Sequence, residues 1–379
     1  MIPEKLQEID QQIIDLLSKR IAVLAESEPI SLEAQIANFG LYVAEGGVPE
    51  SIWKNIVMDC AAVTTASLPI NRVQPRRVTL VGGRGMMGSF FRQKLSAAGH
   101  QVSILEQSDW DHAESLLAGA DLVLICVPIE YTIEVIHKLA NYLEPNTALA
   151  DIASIKTPIL QAMLKHHKGP VMGLHPMFGQ GIQSFLSQKV VVCPGREDFA
   201  FQWLLDLIEN EGGKLIVSTP EEHDQMMMAV QAIRCFKTFG FGVFLQEEEI
   251  NIGRSLDFSS PIFRLEIGIV SRLLTQSAPL IVDIMLATPD RREAICRLAK
   301  TYERLAQLVI QNDRHTLIEE FKASHSFLGD ELNGALEEST HVINALSIFQ
   351  AAREAEQKHH TFSRNAREAH TNLYSKVVG

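Results

Sequence analysis

The spacing of apolar residues predicts a helical segment at the start of the chain. Leu6, Ile9 and Ile13 begin a series at helical spacing, so residues 4–25 are predicted to form an amphipathic helix. A weaker helical pattern covers about 31–64. The polar stretch SLPINRVQPRR follows and is expected to be a linker, because its prolines disfavour helix. We therefore assign residues 1–74 to a helical arm and linker.

Between residues 75 and 218, short apolar runs alternate with helical patterns. The runs are VTLV, QVSIL, LVLICV, TALADI, VMGL, VVVC and KLIVS. Such alternation is typical of stacked βαβ units, whose strands form a mostly parallel sheet. The sequence therefore predicts an α/β domain over this range.

After Thr219 and Pro220 only helical patterns remain. The predicted helices cover 221–248, 260–275, 278–287, 290–311, 313–324 and 327–350. Many of them are apolar on more than one face, which is typical of helices buried against each other or against a second subunit. We expect an all-α domain over 219–350 and a polar C-terminal tail over 351–379.

Composition and charge narrow the classes of function. A chain of 379 residues, 46% hydrophobic and 21% charged, is typical of a globular protein with two or three domains. Its net charge of −12 argues against non-specific binding to nucleic acid. The five cysteines have no metal-type spacing, so we expect reduced thiols and no metal site. Without a signal-peptide pattern or a long apolar run, the expected location is the cytoplasm, away from membranes.

A glycine-rich loop is the first sign of a cofactor. Gly83, Gly85 and Gly88 have GxGxxG spacing directly between a predicted strand and a predicted helix. The first glycine is expected to allow the tight turn, the second the close approach of a pyrophosphate, and the third close packing of the helix. The helix N-terminus would face the phosphate charge. The other loop residues of this predicted site are Arg84, Met86 and Met87.

The end of the next strand predicts which dinucleotide binds. Glu106 lies where a carboxylate can accept hydrogen bonds from ribose hydroxyls and would repel a 2′-phosphate. Arg84 is a competing feature, since it could hold a phosphate, but Glu106 outweighs it and NAD is the expected cofactor. Val127 and Pro128 end a later strand and are expected to line the nicotinamide pocket through their backbone.

Candidate catalytic residues follow two of the predicted strands. Ser154 and Lys156 lie in the loop after TALADI, and His175 lies at the end of the run VMGL. In an open parallel sheet, ligands bind outside the carboxyl ends of the strands. A histidine there can take a proton from a substrate hydroxyl while the cofactor takes a hydride. The pattern favours a dehydrogenase.

Seven ordered motifs resemble those of a known enzyme family. They are GGRGMMG, ILEQSDWD, CVPI, DIASIK, GLHPMFG, EEHDQMM and SSPIFRLEIGIVSRL. Over about residues 75–340 the chain resembles the dehydrogenase part of the bifunctional chorismate mutase–prephenate dehydrogenases, the T-proteins. The resemblance implies an α/β Rossmann-type nucleotide-binding domain followed by an all-α dimerisation domain. It also implies a homodimer that uses NAD to convert prephenate to 4-hydroxyphenylpyruvate in tyrosine biosynthesis.

The resemblance also implies roles for individual residues. His175 would accept the proton of the substrate hydroxyl, and Ser154 would hold the same hydroxyl or the histidine. Arg272 would bind the ring carboxylate. Arg264 lies eight residues earlier, close to two helical turns, so both arginines can point from one helix face into one pocket. Their apolar neighbours indicate that these guanidinium groups are buried, where they would clamp carboxylates.

Three further positions leave alternatives open. Lys156 would either orient the site or fix its loop. His223 would contact the substrate or tie its helix to the nucleotide-binding domain, and the structural role is slightly favoured. Relatives commonly carry a histidine at the position of Cys235. In the family, that histidine assists substrate binding. Because a thiol is a poor replacement for an imidazole donor, the choice between prephenate and arogenate stays open.

The N-terminal arm resembles the first helix of a chorismate mutase domain, with Arg20 matching an active-site arginine. A mutase without metal or covalent chemistry needs several positive side chains around its dianionic transition state. Between Ile21 and Asn71, however, the chain has a single basic residue, Lys54. We expect a degenerate remnant without mutase activity; an unrelated helical extension is the alternative.

A different class of function is a non-catalytic paralogue that binds tyrosine or a partner enzyme and regulates the pathway. The joint presence of Ser154, His175 and Arg272 argues against it, since such a protein has no need of them.

Overall fold

The computed structural model describes residues 2–28, 30–65, 74–179 and 181–377. By their contacts, the residues divide into two compact units, Met1–Met227 and Met228–Gly379. The first unit contains the N-terminal arm and a β-sheet with its helices. The described part of the second unit is helical.

Four helices form the described part of the arm. They are α1 (Glu4–Glu26), α2 (Leu32–Ala37), α3 (Gly40–Glu45) and α4 (Glu50–Thr65). The predicted first helix is confirmed and packs against α4. Arg20 donates a hydrogen bond to Gln35 (2.7 Å), and its guanidinium lies 5.4 Å from the centre of the Trp53 ring. No residue of α1 is buried: Leu6, Ile9 and Ile13 of its predicted apolar stripe are exposed, and the later members of the stripe, such as Leu24, are at most half-buried. The predicted linker falls largely on 66–73, outside the described residues.

The centre of the first unit is a seven-stranded sheet. Its strands are β1 (Arg77–Val81), β2 (Gln101–Leu105), β3 (Leu122–Ile125), β4 (Ala148–Asp151), β5 (Val171–Pro176), β6 (Lys189–Arg196) and β7 (Lys214–Val217). Their spatial order is β2-β1-β3-β4-β5-β6-β7, and every neighbouring pair is parallel except β5 with β6. The seven predicted strands and the mostly parallel sheet are thus confirmed.

Helices cover both faces of this sheet. They are α5 (Met86–Ala97), α6 (Ala113–Leu117), α7 (Ile129–Leu139), α8 (Thr157–His166), α9 (Gln202–Asn210) and α10 (Pro220–Met227). Along β3, Leu122 and Leu124 belong to one buried apolar cluster, whereas Val123 and Ile125 belong to another. Because successive strand residues point to opposite faces, both faces of β3 are buried, which explains why this strand is an unbroken apolar run.

The second unit begins with a π-helical segment, Met228–Ile233. Its α-helices are α11 (Arg234–Glu247), α12 (Ile252–Asp257), α13 (Pro261–Leu274), α14 (Ala278–Leu286), α15 (Pro289–Ile310), α16 (Arg314–Leu328) and α17 (Glu331–Val377). The apolar spacing predicts these helices except α12, which is a single short segment. Helix α17 also continues through the predicted polar tail.

Judged by length and hydropathy alone, one helical run among the described residues, Pro220–Glu247, could cross a bilayer. The bent pair α13 and α14 passes the same test if counted as one span. The expectation that the chain has no membrane-spanning segment rests on the absence of a long uninterrupted apolar run. The helical run Pro220–Glu247 is interrupted by polar and charged residues.

Candidate active site

The glycine-rich loop turns directly after β1. Gly82 has a φ of +79°, a left-handed conformation that favours glycine, and its N–H donates to the carbonyl of Leu105 (2.9 Å). The glycine that permits the tight turn is therefore Gly82, and the assignment of that role to Gly83 is wrong. Gly83 is needed for another reason: a Cβ there would lie 3.0 Å from side-chain atoms of Leu80 and Ile104.

The other two glycines have the predicted positions. Gly85 is the N-cap of α5, whose first turn begins at the exposed Met86. A Cβ on Gly88 would lie 2.4 Å from the carbonyl oxygen of Gly82, so helix and loop pack too closely for any side chain. The bare loop and the open helix N-terminus fit the pyrophosphate of a dinucleotide.

Glu106 follows β2 and reaches back to this loop. Its carboxylate accepts a hydrogen bond from the backbone N–H of Arg84 (2.7 Å). It also forms a reciprocal capping pair with Asp109 at the start of the short 3-10 helix Gln107–His112. These contacts fix the carboxylate beside the glycine turn, where the ribose is expected. The side chain of Arg84 is exposed.

The loop after β3 forms the other side of the crevice. A Cβ on Gly82 would lie 2.9 Å from the carbonyl oxygen of Cys126 and 3.1 Å from the side chain of Val127. Pro128 follows as the N-cap of α7. Strand β1 has β2 on one side and β3 on the other, so the chain direction across the sheet reverses here. Dinucleotides bind in the crevice at such a switch point.

A buried ion pair connects β4 with β5. The ammonium group of Lys156 contacts the carboxylate of Asp151 at the end of β4 and donates to the carbonyl of Leu174 (2.8 Å). Both charged side chains are fully buried. Lys156 therefore joins its loop to the residue before His175, and this geometry favours the loop-fixing alternative over a contact with substrate.

His175 lies at the end of β5 and contacts a second histidine. Its Nδ1 lies 2.7 Å from Nε2 of His223, and Nδ1 of His223 lies 2.9 Å from the carboxylate of Asp224. Both histidines are buried. His223 thus contacts His175 through one nitrogen and Asp224 through the other.

Asp224 also binds the loop after β4. Its carboxylate accepts hydrogen bonds from the backbone N–H groups of Lys156 (2.8 Å) and Thr157 (2.9 Å). Burial alone would raise the pKa of Asp224, but the hydrogen bonds from His223 and from these two amides lower it to about 2. The group is an acceptor-only carboxylate at neutral pH.

Ser154 lies half-buried in the loop between β4 and α8. Strands β4 and β5 are parallel neighbours, with Asp151 paired to Gly173. Ser154 and His175 consequently follow adjacent strands at the same edge of the sheet. The structure brings Ser154, Lys156, His175 and His223 to this edge of the first unit, together with Asp151 and Asp224, which are not among the predicted site residues. The sequence signal for Asp224 is its position directly after His223, because a carboxylate next to a histidine is a candidate hydrogen-bond partner.

The two candidate arginines belong to the second unit, on α13. Arg264 is half-buried and donates to the carbonyl of Leu256 (3.0 Å). Arg272 is exposed, and so are the neighbouring Ile262 and Ile269. The expectation that apolar neighbours bury both guanidinium groups is therefore wrong for Arg272 in the single chain, because part of the apolar surface of α13 is itself exposed.

Cys235 is fully buried on α11 and packs in an apolar cluster. The other buried members of the cluster are Leu273, Ile281, Ile284 and Met285. Burial raises the pKa of the Cys235 thiol, so it is neutral at ordinary pH. Within the described residues, no group of three or more histidine, cysteine or acidic side chains is placed to hold a metal ion.

A glycine loop at a switch point and a histidine at the same edge of a parallel sheet define a nucleotide-dependent dehydrogenase as the class of this protein. The nucleotide-binding domain of prephenate dehydrogenases matches residues 91–217, and the dimerization domain of prephenate dehydrogenases matches residues 219–323. The chain belongs to the prephenate dehydrogenase family.

Two relatives illustrate the similarity. A protein of Haemophilus influenzae named T-protein is 40% identical over 267 residues, which cover 70% of this chain and 71% of that protein. A T-protein of Enterobacter agglomerans is 35% identical over 364 residues, covering 90% of this chain and 96% of the relative.

Solved structures share the fold. The prephenate dehydrogenase of Aquifex aeolicus, in complex with hydroxyphenyl propionate and NAD+, has a TM-score of 0.55 at 18% identity and covers 67% of this chain and 97% of its own. An arogenate dehydrogenase of Synechocystis has a TM-score of 0.50 at 19% identity and covers 68% of this chain and 99% of its own.

Proposed function

We propose that the protein is a prephenate dehydrogenase that uses NAD for the oxidative decarboxylation of prephenate to 4-hydroxyphenylpyruvate, in tyrosine biosynthesis. The observation that carries the proposal is His175, buried at the sheet edge with its Nδ1 against His223. Membership of the prephenate dehydrogenase family supplies the substrate class.

In the proposed reaction, the proton of the substrate hydroxyl moves to His175 and back. NAD, held by the glycine-rich loop and Glu106, would supply the acceptor for the hydride on the carbinol carbon of the substrate. As the hydroxyl becomes a carbonyl, its proton passes to Nε2 of His175, and Ser154 holds the same oxygen. Loss of the ring carboxylate as carbon dioxide returns its electron pair to the ring, which becomes aromatic. His175 then returns the proton to the oxygen, and the phenol is formed.

Two further features of the chain support the choice of cofactor and substrate. The fixed carboxylate of Glu106 suits the two ribose hydroxyls of NAD and would repel the 2′-phosphate of NADP. Prephenate carries two carboxylates, for which Arg272 and Arg264 are the proposed partners. A guanidinium group suits a carboxylate because it donates two parallel hydrogen bonds.

Arogenate is the alternative substrate, and Cys235 keeps it open. It undergoes the same chemistry but carries an amino-acid side chain in place of the pyruvyl group. The assignment depends on contacts to that side chain, and this chain lacks the histidine that relatives carry at position 235.

One experiment separates these proposals. The purified protein is mixed with NAD and either prephenate or arogenate, and the absorbance of reduced nicotinamide is followed. Turnover with prephenate supports the proposal, whereas turnover with arogenate alone transfers the activity to the alternative. If neither substrate reacts although NAD binds, the regulatory paralogue becomes the better account.

We further propose how the parts of the chain are used. Residues 75–218 would form the nucleotide-binding domain, residues 219–350 would form the dimerisation domain of a cytoplasmic homodimer, and residues 351–379 its C-terminal extension. The matched family domains, 91–217 and 219–323, support this division. Residues 1–74 would be a mutase remnant without activity, since Arg20 contacts Gln35 and few other cations are present. Incubation with chorismate should then leave its concentration unchanged.

A further inference from the structure

A continuous set of hydrogen bonds leads from Asp224 to His175. The carboxylate of Asp224 contacts Nδ1 of His223, and Nε2 of His223 contacts Nδ1 of His175, over 2.9 and 2.7 Å. These residues all belong to the first unit. His223 is fully engaged, because each of its two nitrogens has one of these partners.

The directions of these hydrogen bonds follow from the chemistry of the groups. An ionised carboxylate only accepts, so Nδ1 of His223 must carry a hydrogen. In a neutral imidazole the other nitrogen is then an acceptor, so Nε2 of His223 accepts from Nδ1 of His175. By the same rule, Nε2 of neutral His175 carries the lone pair. One carboxylate thereby determines the tautomers of two histidines.

Asp224 is itself held in place by the loop of the active site. Its two oxygens accept from the consecutive amides of Lys156 and Thr157, which begin α8. The charge of neighbouring Asp151 is paired with the ammonium group of Lys156. Cys193 on β6 and Glu221 on α10 lie nearby, and burial raises the pKa of the Cys193 thiol to about 12, so it stays neutral. Asp224 is therefore the negative charge in direct contact with the histidine pair.

We propose that Asp224 is a positioning residue that acts through His223 to present the Nε2 lone pair of His175 to the substrate hydroxyl. The proposal rests on the proposed function, in which His175 accepts that proton. Asp224 also compensates the positive charge that His175 gains during the reaction. The wrong tautomer would present an N–H to the hydroxyl and could not accept its proton.

The tautomers can be observed without any turnover. The full-length protein is labelled with 15N-histidine, and His175 is identified by the signals missing from His175→Asn. At a pH where the pair is neutral, the wild type should show a protonated Nδ1 and an unprotonated Nε2 at His175. In Asp224→Asn both nitrogens should move towards averaged shifts. A wild-type His175 protonated at Nε2, or unchanged tautomers in the variant, would overturn the proposal.

Kinetics provide the second measurement. Asp224→Asn should lower kcat by roughly 10²- to 10⁴-fold, the range for loss of a general base or of its correct tautomer. The acid limb of kcat/KM should move to lower pH, because without the carboxylate the imidazolium is less stabilised. A purely structural role would lower thermal stability and kcat without moving this limb, and that result would contradict the proposal.

Asp313→Asn is the matched control. Asp313 also accepts from a helix N-terminus, through the N–H of Thr316 (3.1 Å), but it lies in the second unit, outside the histidine network. Its substitution should leave the tautomers and the acid limb unchanged. If the wild type converts neither prephenate nor arogenate, the proposed function fails. The nitrogen shifts would still decide whether Asp224 sets the tautomers.

Discussion

Gly88 leaves no space for a side chain beside the cofactor loop, whereas Gly85 does. A methyl group on Gly88 would overlap the backbone of Gly82 and Gly83, at 2.4 and 2.7 Å. On Gly85 the nearest atom is the Gly82 oxygen at 3.3 Å. We expect Gly88→Ala to lose about 1–3 kcal/mol of stability and NADH binding with it.

Gly85→Ala is the matched variant, and thermal unfolding with NADH titration by fluorescence compares the two. Gly85→Ala should keep nearly all of its stability but bind NADH more weakly, because the added methyl group would lie where the pyrophosphate approaches the backbone. Equal stability of the two variants would contradict the packing argument.

His175→Asn tests the proton acceptor directly. NAD binding should be retained, while kcat with the active substrate should fall by roughly 10²- to 10⁴-fold, since an amide cannot act as the base. Steady-state kinetics and NADH titration measure these two properties. His167→Asn is the control, because His167 is equally buried but bonds to the carbonyl of Thr147 (2.7 Å). Unchanged turnover in His175→Asn would remove this residue from catalysis.

Cys235→His would restore the residue common in relatives, but at a position that is fully buried. The Cys235 side chain has apolar neighbours and the guanidinium group of Arg234 at 3.6 Å from its sulfur, and an imidazole there adds volume to this packed position. We expect a loss of about 1–3 kcal/mol in stability. The exposed Cys296 supplies the control, since Cys296→His should unfold like the wild type. Restored affinity at unchanged stability would show that position 235 faces the substrate.

Helix α13 begins where its sequence predicts, because Ser260 caps the N–H of Phe263 (3.3 Å) and Pro261 occupies the first turn. This helix places Arg264 and Arg272 two turns apart. We expect Arg272→Ala to raise KM for prephenate roughly 10- to 100-fold, the effect of a lost charge-assisted hydrogen bond, and to leave KM for NAD unchanged. Initial rates at varied prephenate and NAD provide both constants.

Arg297→Ala is the control for this prediction. Arg297 is also an exposed helical arginine, but its partner is Glu293 on the same helix. Its substitution should leave both constants unaltered. An unaltered KM for prephenate in Arg272→Ala would exclude Arg272 from the substrate site.

The strands were predictable because each contains a short apolar run, and the central strands are buried on both faces, as β3 illustrates. The antiparallel direction of β6 was not, since a buried strand has the same pattern in either direction. In the site, His175 and Ser154 were predictable from their positions after strands. The contact of Asp224 with the amides of Lys156 and Thr157 was not, because more than 60 residues separate the partners in sequence.

As a whole, the described chain exposes many large apolar side chains in its second unit. Phe244 on α11 is 52% exposed, and Leu274 and Leu286 are exposed to similar degrees. Large exposed apolar side chains are common at protein interfaces. Since residues 219–323 match a dimerization domain, we expect the wild type to sediment at twice the mass of the chain.

Phe244→Glu should weaken that dimer by placing a charge in the interface. Phe199→Glu is the control, because Phe199 is also exposed (79%) but lies in the first unit. Sedimentation velocity at several concentrations distinguishes the species. A monomeric wild type, or equal effects of the two substitutions, would contradict the assignment of the interface.

The buried pair of Lys156 and Asp151 has a consequence for how this chain can evolve. Loss of either partner alone leaves an uncompensated charge in the interior, at a cost of about 3–5 kcal/mol. Replacing both with apolar residues would avoid that cost but would leave the carbonyl of Leu174, next to His175, without the hydrogen bond from Lys156. We therefore expect selection against a single substitution at either position. A lineage that changes one partner requires a compensating change at the other.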